Sequence, residues 1–517
     1  MPESGVNPDR EPMAPRWFAP ALTSVFFVLE LINLLHHAMW EDEMQVWSFA
    51  THSHSVRELF HVTRYEGHPH AWQFLVYVVS RWSSNPVAMQ ILHLAIATIT
   101  AYVVARYSPF PWFEKVLIVF GYFFFFEYAT ISRDYALGIL CLVSFCAVFR
   151  PGPEKRYGLL AILLGLMAES NIYALILALS LALMMVFEAM QSPQPRQYIF
   201  SRRGELAGVA VLFLTAVLIS LHHIRPPANA EWDTRSQLVV HTRTGFSGTL
   251  AMMWRAFVPI PQLSRRFWNS NLLLGDHTRG MAVLSILLFG ISVLFFVRKR
   301  TVLFLYVSGL AALTLFKQLV YGGGLRHDGH AFILFLACVW LGKSYPEQRF
   351  PLPIIETAAE RLRPYQDRLF RGLLVGQVIA ALVASVIALK VPFSESRAAS
   401  DFLRSKRMDQ MFIIGDSDIA VSPIAGYLNR EIYYPQGSRM GSYVIWDQGR
   451  TPATEPTLEL GRRKAAEQHQ DVLVILNFPD QSAHEIASFQ GGTVPSENYY
   501  MYWIPPEKPK TISSPGR

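Results

Sequence analysis

Short runs of charged residues interrupt a largely apolar chain, and they hold the side chains best suited to chemistry. The first run, Glu41-Asp42-Glu43, comes directly after an apolar stretch at 17–36. Carboxylates close to hydrocarbon are costly and commonly functional, but acids also favour the first turn of a helix without any chemical role. The residues alone leave both interpretations open.

Two further runs carry histidine, arginine and aspartate. In the segment 64–72, a glycine and a proline indicate the start of a helix, and His68 and His70 flank the proline. Arg133 and Asp134 stand together between two apolar stretches. They form either part of a binding site or a simple ion pair at the membrane interface.

A fourth run, 322–330, combines glycines with Arg326, His327 and His330. Glycine lets a backbone approach a ligand closely, and arginine and histidine are suitable donors to a phosphate. A flexible turn between two membrane spans would have the same composition. The histidine spacings match no recognised zinc pattern, so no metal ligand is predicted; a divalent metal stays unsupported, and no other cofactor is predicted.

The elements that must position these runs are membrane helices. Of the 517 residues, 51% are hydrophobic and only 16% are charged, whereas a soluble protein of this length has about a quarter charged residues. The formal net charge of +7 comes largely from basic residues at the ends of apolar stretches, where they set membrane topology. This pattern argues against nucleic acid as a partner and predicts an α-helical polytopic protein surrounded by membrane lipids.

One stretch, 71–81, decides the predicted topology. It has about half of the ~20 residues that a span needs and contains Trp, Gln and Tyr, so it either spans or lies in the interface. If it is interfacial, the loops rich in Lys and Arg all lie on the cytoplasmic side with the N-terminus; these loops are 106–115, 150–156, 191–203, 298–300 and 343–371. The sequence therefore predicts about eleven transmembrane helices, with the N-terminus inside and the C-terminus outside.

The same pattern divides the chain into three parts. Residues 1–16 are predicted to be a cytoplasmic tail, 17–391 a transmembrane domain and 392–517 an extracytoplasmic soluble domain. The first outer loop, 37–86, carries juxtamembrane helices, and a large outer loop follows at 223–280. The last part alternates helix and strand patterns, which predicts a small α/β domain with strands at 410–414, 431–434, 443–446, 471–477 and 499–504.

In chain order, the polar runs resemble the motifs of one family of membrane enzymes. The matching residues are Asp42-Glu43 in the first outer loop, His68-Pro69 at the start of a juxtamembrane helix, and Ser132-Arg133 with Asp134 at the outer end of the third span. This order is similar to that of the GT-C glycosyltransferases that use a sugar carried on a polyprenyl phosphate, such as protein O-mannosyltransferases and lipid A aminoarabinose transferases. The resemblance covers 17–149 and the Arg326-His327 turn. His70 departs from the proline common there, and the C-terminal domain matches no family.

The resemblance implies a glycosyltransferase of the cell inner membrane. It would move a hexosyl or pentosyl group from a polyprenyl-phosphate donor lipid, undecaprenyl phosphate in a bacterium, to a glycan, lipid or protein acceptor on the periplasmic face. Asp42 would be the general base of an inverting displacement, and Glu43 would orient the acceptor or stabilise positive charge on the sugar. The implied substrate-binding residues are His68, Arg133, Asp134, Arg326, His327 and His330.

Two other functions are consistent with the same residues. A transporter or flippase for an anionic lipid or solute would use these charges as a pathway, although transporters commonly show paired halves and charges near the middle of the membrane. In a non-catalytic protein of envelope assembly, the acids would serve only as helix caps.

Overall fold

A computed structural model of the protein describes residues 15–152, 155–191, 200–231, 245–275 and 277–506. Within them, residues 18–388 form a helical membrane domain, and residues 396–504 form a smaller domain built on one sheet. The cytoplasmic tail predicted at 1–16 lies outside the described residues, apart from its last two positions.

The helices of the membrane domain differ widely in length. They are α1 (Phe18–His36), α2 (Glu41–His52), α3 (Val56–Thr63), α4 (Ala71–Ser80), α5 (Val87–Tyr107), α6 (Trp112–Val119), α7 (Tyr135–Val148), α8 (Tyr157–Ala168), α9 (Ile172–Met190), α10 (Arg203–Ile224), α11 (Phe246–Leu250), α12 (Met252–Phe257), α13 (Thr278–Phe296), α14 (Arg300–Leu319), α15 (Leu325–Gly342), α16 (Pro353–Leu362) and α17 (Gln366–Ala388). Seven segments in the described ranges are long and apolar enough to cross a membrane: α1, α5, α9, α10, α13, α14 and the joined Pro353–Ala388. The chain is therefore a multi-pass membrane protein.

Of the other predicted spans, 329–342 lies in α15, which has 18 residues, and the rest are shorter or interrupted helices. Helices α7 and α8 have 14 and 12 residues, and the predicted span at 116–129 is divided between α6 and a π-helix, Phe123–Glu127. Helix α4 has 10 residues and is about 15 Å long, about half of a hydrocarbon core. The helical membrane fold is confirmed, whereas the count of eleven spans and the orientation stay predictions.

The short helices α2 and α4 are fixed against the spans by an apolar cluster. Trp47 of α2 and Trp72 and Val76 of α4 are fully buried together with residues of α5 and α7. Tyr427 of the smaller domain belongs to the same cluster. Because α2 is held from three directions, the acidic run at its start has a defined position.

The smaller domain has the predicted α/β character. Its elements are α18 (Ser396–Ser405), β1 (Phe412–Gly415), α19 (Asp418–Leu428), β2 (Ile432–Tyr434), β3 (Arg439–Gly441), α20 (Thr457–Gln468), β4 (Val472–Leu476), β5 (Glu485–Phe489) and β6 (Tyr499–Ile504). The strand order is β3-β2-β1-β4-β6-β5; β1 pairs in parallel with β2 and β4, and the other pairs are antiparallel. Helix α20 and strands β3 and β5 were not predicted from the sequence.

The strand predicted at 443–446 does not form. The side-chain amide of Gln45 in α2 accepts a hydrogen bond from the Val444 N–H (2.9 Å) and donates one to the Val444 carbonyl (2.7 Å). These are the backbone groups that a neighbouring strand would need. The segment is apolar because it packs on α2, where Tyr443 lies 4.6 Å from Phe49 between ring centres.

Candidate functional site

Asp42 lies between two arginines that come from distant parts of the chain. Its Oδ2 is 2.8 Å from the Arg326 guanidinium and 3.9 Å from that of Arg133. Arg133 also donates to the main-chain carbonyl of Asp42 at 2.5 Å. The Asp42 side chain is 28% exposed, more than either arginine, so this carboxylate faces the open side of the site.

The two arginines determine the charge of Asp42. Burial alone would raise the pKa of Asp42, but the positive charges of Arg133 and Arg326 outweigh it and lower the pKa below its usual range. Asp42 is therefore ionised at neutral pH. An ionised carboxylate beside two guanidiniums is an arrangement suited to an anionic substrate and a proton-accepting step.

Arg326 is also held in an aromatic cage. Its guanidinium carbon lies 5.2 Å from the Trp40 ring centre and 5.4 Å from that of Trp268, within the range of cation–π attraction. The Trp268 indole N–H donates to both carboxyl oxygens of Glu127 at 3.2 Å. Glu127, at the end of the π-helix, thus fixes the ring against which Arg326 packs.

Glu43, the neighbour of Asp42, points into the protein and is 0% exposed. One oxygen accepts from the Ser132 N–H (2.6 Å). The other lies 2.7 Å from His37 Nε2 and accepts a weaker bond from the Trp40 N–H (3.3 Å). Glu43 therefore caps α2 and fixes the backbone just before Arg133.

At the start of α15, too, one polar residue faces the site and its neighbour points into the protein. Arg326 faces Asp42, whereas His327 folds back so that its Nδ1 accepts from the Gly324 N–H (2.7 Å) and its Nε2 lies 2.9 Å from the Tyr135 hydroxyl. Gly323 has a φ of +57°, and a side chain there would collide with the His327 ring. Gly323 therefore makes room for His327, which contacts protein groups on both ring nitrogens.

His330 is buried one turn further along α15. Its Nδ1 is 3.3 Å from the Tyr128 hydroxyl, and its Nε2 has no hydrogen-bond partner among the described residues. Asp328 binds Lys317 at 2.5 Å and lies 3.4 Å from Arg255. The predicted binding residues of this run thus separate into one that faces Asp42 and others that hold α15 in place.

His68 and Asp134 lie next to the arginines. His68 Nδ1 is 3.5 Å from Asp134 Oδ2, and the His68 side chain is partly exposed whereas Asp134 is buried. Burial and the charges of Arg133 and Arg326 lower the pKa of His68, although Asp134 acts in the opposite direction. A neutral imidazole is therefore available beside Asp42.

Two further acids belong to the site: Glu66, which was not among the predicted residues, and Glu41, which starts the acidic run that contains Asp42. Glu66 accepts from the Gln45 amide (3.0 Å), and burial raises its pKa to about 7, with Asp42 and Arg133 among the charges that act on it. Burial and the charge of Asp42 raise the pKa of Glu41 to about 7. Glu66 stands two positions before His68 in an already polar run, and that spacing was the signal that could have identified it.

The soluble domain reaches this site as well. The Trp446 side chain forms a hydrogen bond with Glu66, and the Arg450 guanidinium lies 4.9 Å from the Trp446 ring centre. In the described part of the chain, no three His, Cys, Asp or Glu side chains lie close enough together to hold a metal ion.

No family model and no curated protein matches this sequence. Among solved structures, ArnT from Cupriavidus metallidurans bound to undecaprenyl phosphate is similar over 97% of this chain and 100% of that chain, with 12% identity and a TM-score of 0.51. The same protein in the apo state is similar over 94% of this chain and 97% of that one, with 12% identity and a TM-score of 0.49.

At 12% identity, the likeness to the lipid-bound structure establishes the fold. It extends over both domains, including the C-terminal part for which the sequence showed no resemblance. The expected helical membrane fold with a small C-terminal sheet domain is thereby confirmed: the chain has the fold of ArnT from Cupriavidus metallidurans.

Proposed function

We propose that the protein is a membrane glycosyltransferase that takes its sugar from a polyprenyl-phosphate donor and transfers it to an acceptor hydroxyl on the outer face of the inner membrane. The observation that carries this proposal is the placement of Asp42 between Arg133 and Arg326. The similar ArnT structure contains undecaprenyl phosphate, which supports the same class of lipid here.

The arginines would bind the donor phosphate. A guanidinium has five N–H donors in a fixed plane, so the contacts to Asp42 leave donors free for phosphate oxygens. Trp40 and Trp268 limit the movement of Arg326, and Glu43 limits that of the backbone preceding Arg133. Fixed donors stabilise the charge of the leaving phosphate without having to reorganise during the reaction.

The proposed reaction is a single displacement. The acceptor oxygen forms a bond to the anomeric carbon, and the bond from that carbon to the phosphate oxygen breaks. The electron pair of the broken bond leaves with the polyprenyl phosphate, and the acceptor proton moves to Asp42. Attack from the side opposite the phosphate inverts the anomeric centre.

Asp42 is the proposed base because it is ionised and is more exposed than either arginine. Its lowered pKa makes it a weak base, which suits a proton transfer late in the displacement, when the acceptor oxygen has become acidic. Glu66, with a pKa of about 7, would orient the acceptor hydroxyl. His68 and Asp134 would support the acceptor side.

The inward contacts of the remaining predicted residues favour supporting roles. Glu43 would position Arg133 rather than touch the sugar, since both of its oxygens accept from the protein. His327 and His330 would hold α15 and thereby Arg326. These roles refine the expectation that all of them bind substrate directly.

A transfer assay with the purified full chain tests the proposal. Sugar-loaded undecaprenyl phosphates serve as donors and an envelope lipid extract as the acceptor pool, and mass spectrometry detects transferred sugar. We expect transfer by the wild type and a loss of about 10²–10⁴-fold in Asp42→Asn, the range for a missing general base, with donor binding retained.

A wild type that moves labelled lipid across vesicles but transfers no sugar would instead favour a flippase. Activity near the wild-type level in Asp42→Asn would exclude Asp42 as the base.

A further inference from the structure

Glu497, in the soluble domain, contacts the backbone next to Asp42. Its Oε1 accepts from the Glu41 N–H at 2.7 Å, between residues 456 positions apart in the chain. Its Oε2 forms a short hydrogen bond with the Ser394 hydroxyl. The Glu497 side chain is fully buried, although the residue lies in a short turn just before β6.

The Glu41 N–H belongs to the first turn of α2, where helix N–H groups have no partner within the helix. Glu43 accepts from the Trp40 N–H in the same turn. The turn that carries Asp42 is therefore capped twice, once by its own helix and once by the other domain.

Further contacts from the soluble domain concentrate on the residues just before this turn. The Ser396 hydroxyl donates to the Met39 carbonyl (3.1 Å), and the Tyr427 hydroxyl accepts from the Met39 N–H (2.9 Å). Arg397 donates to the His37 carbonyl (2.5 Å). Unlike Glu497, none of these side chains bonds a backbone group inside α2.

The chemistry of Glu497 also defines which replacement should work. Burial, with Glu41 and Glu43 nearby, raises the pKa of Glu497 well above its usual range, which favours the neutral carboxyl; its O–H would then donate to Ser394 while Oε1 accepts from the Glu41 N–H. The Ser394 hydroxyl in turn donates to Ser396 at 2.6 Å. A glutamine would reproduce both bonds, with its carbonyl toward Glu41 and its amide toward Ser394.

We propose that Glu497 is a positioning residue for the glycosyl-transfer site: by capping the first turn of α2 from the soluble domain, it sets the position of Asp42 relative to the two arginines. This inference rests on the proposed function of Asp42. Residues of this kind act through geometry, and a displacement of about 1 Å at a reacting group can cost roughly 100-fold in rate.

Two variants of Glu497 separate the length of its side chain from its carboxyl chemistry. Glu497→Asp keeps the carboxyl but is one methylene too short to reach Glu41, and we expect kcat to fall by about tenfold or more with the KM for the donor unchanged. Glu497→Gln keeps the reach, and we expect kcat within about threefold of wild type. Tyr427→Phe is the matched control, since it removes a contact between domains outside α2, and we expect little change.

Hydrogen exchange of the peptide spanning 38–45 gives a readout that does not need activity. We expect faster exchange at the start of α2 in Glu497→Asp and wild-type exchange in Glu497→Gln. If the wild type transfers no sugar, the proposed function fails, and the exchange measurement still decides whether Glu497 caps α2. Equal behaviour of the two variants, in rate and in exchange, would overturn the inference.

Discussion

The two helices that meet at the site, α2 and α15, begin in the same way and divide their polar residues in the same way. In α2, Asp42 faces the arginines while Glu43 is buried under His37 and Ser132. In α15, Arg326 faces Asp42 while His327 and Asp328 bind protein groups. Consecutive residues on a helix point about 100° apart, so each polar run supplies one exposed group and its internal supports.

The comparison extends to two acids of the site, Asp42 and Glu66. Asp42 is surrounded by guanidiniums, which lower its pKa. Glu66 is held by the neutral groups of Gln45 and Trp446, and burial raises its pKa to about 7. The two acids of one site therefore differ in pKa because their neighbours differ in charge.

The largest of these effects is expected on donor affinity, from the difference between Arg326, which faces Asp42, and the internal residues of α15. Arg326→Ala removes a charge-assisted contact worth about 1.5–3 kcal/mol, so we expect the donor Kd to rise by roughly 10- to 150-fold with little change in Tm. Asp328→Asn, two residues away, should lower Tm by several degrees and leave the donor Kd unchanged. Donor titration and thermal unfolding measure the pair, and a reversed result would contradict the division of roles in α15.

The difference between the two acids predicts a pH effect of intermediate size. Because the pKa of Glu66 is about 7, its ionised form is lost as the pH falls through 7, and activity should decline over that range. Glu66→Gln should reduce the plateau of kcat by about tenfold and remove the decline. If the decline persists in Glu66→Gln, another group causes it, and Glu41 is the next candidate.

A neighbour of Glu66 provides the control for that profile. The hydrogen bond from Gln45 favours ionised Glu66 and lowers its pKa. Gln45→Ala removes it, so the decline in activity should begin at a higher pH than in the wild type. A shift toward lower pH would show that burial, reduced by the smaller side chain, controls Glu66 instead.

The smallest effect concerns the cage around Arg326. Trp268→Phe keeps a ring beside the guanidinium but loses the hydrogen bonds to Glu127. We expect a rise of about threefold in the donor KM, with the KM for the acceptor unchanged. Wild-type donor affinity in this variant would mean that Glu127 has no part in positioning Arg326.

The sequence predicted the helical membrane fold and the polar runs because both depend on local composition and order. It did not predict which residue of each run faces the site, since that depends on helix rotation and packing. His327 shows the limit: its type suits phosphate, yet the fold directs it to Gly324 and Tyr135. The strand predicted at 443–446 failed for a similar reason, because the Gln45 side chain, far away in sequence, takes its backbone groups.

Glu66 and Glu497 illustrate two kinds of omission. Glu66 lies in the polar run 64–72, two positions before His68, so its acidic side chain could have been predicted as part of the site. No local pattern marks Glu497, since it is an isolated acid among uncharged neighbours, and the sequence does not reveal the role of its domain. Only the folded chain brings it to Glu41.

The distance in sequence between Glu41 and Glu497, 456 residues, has a consequence for biosynthesis. At about 5–20 residues per second, the two partners leave the ribosome roughly 20–90 s apart. Asp42 and Arg133 are made early, but the cap on α2 is complete only after the last domain has folded. A nascent chain, or one truncated before Glu497, would therefore reside in the membrane without the contact that holds the first turn of α2.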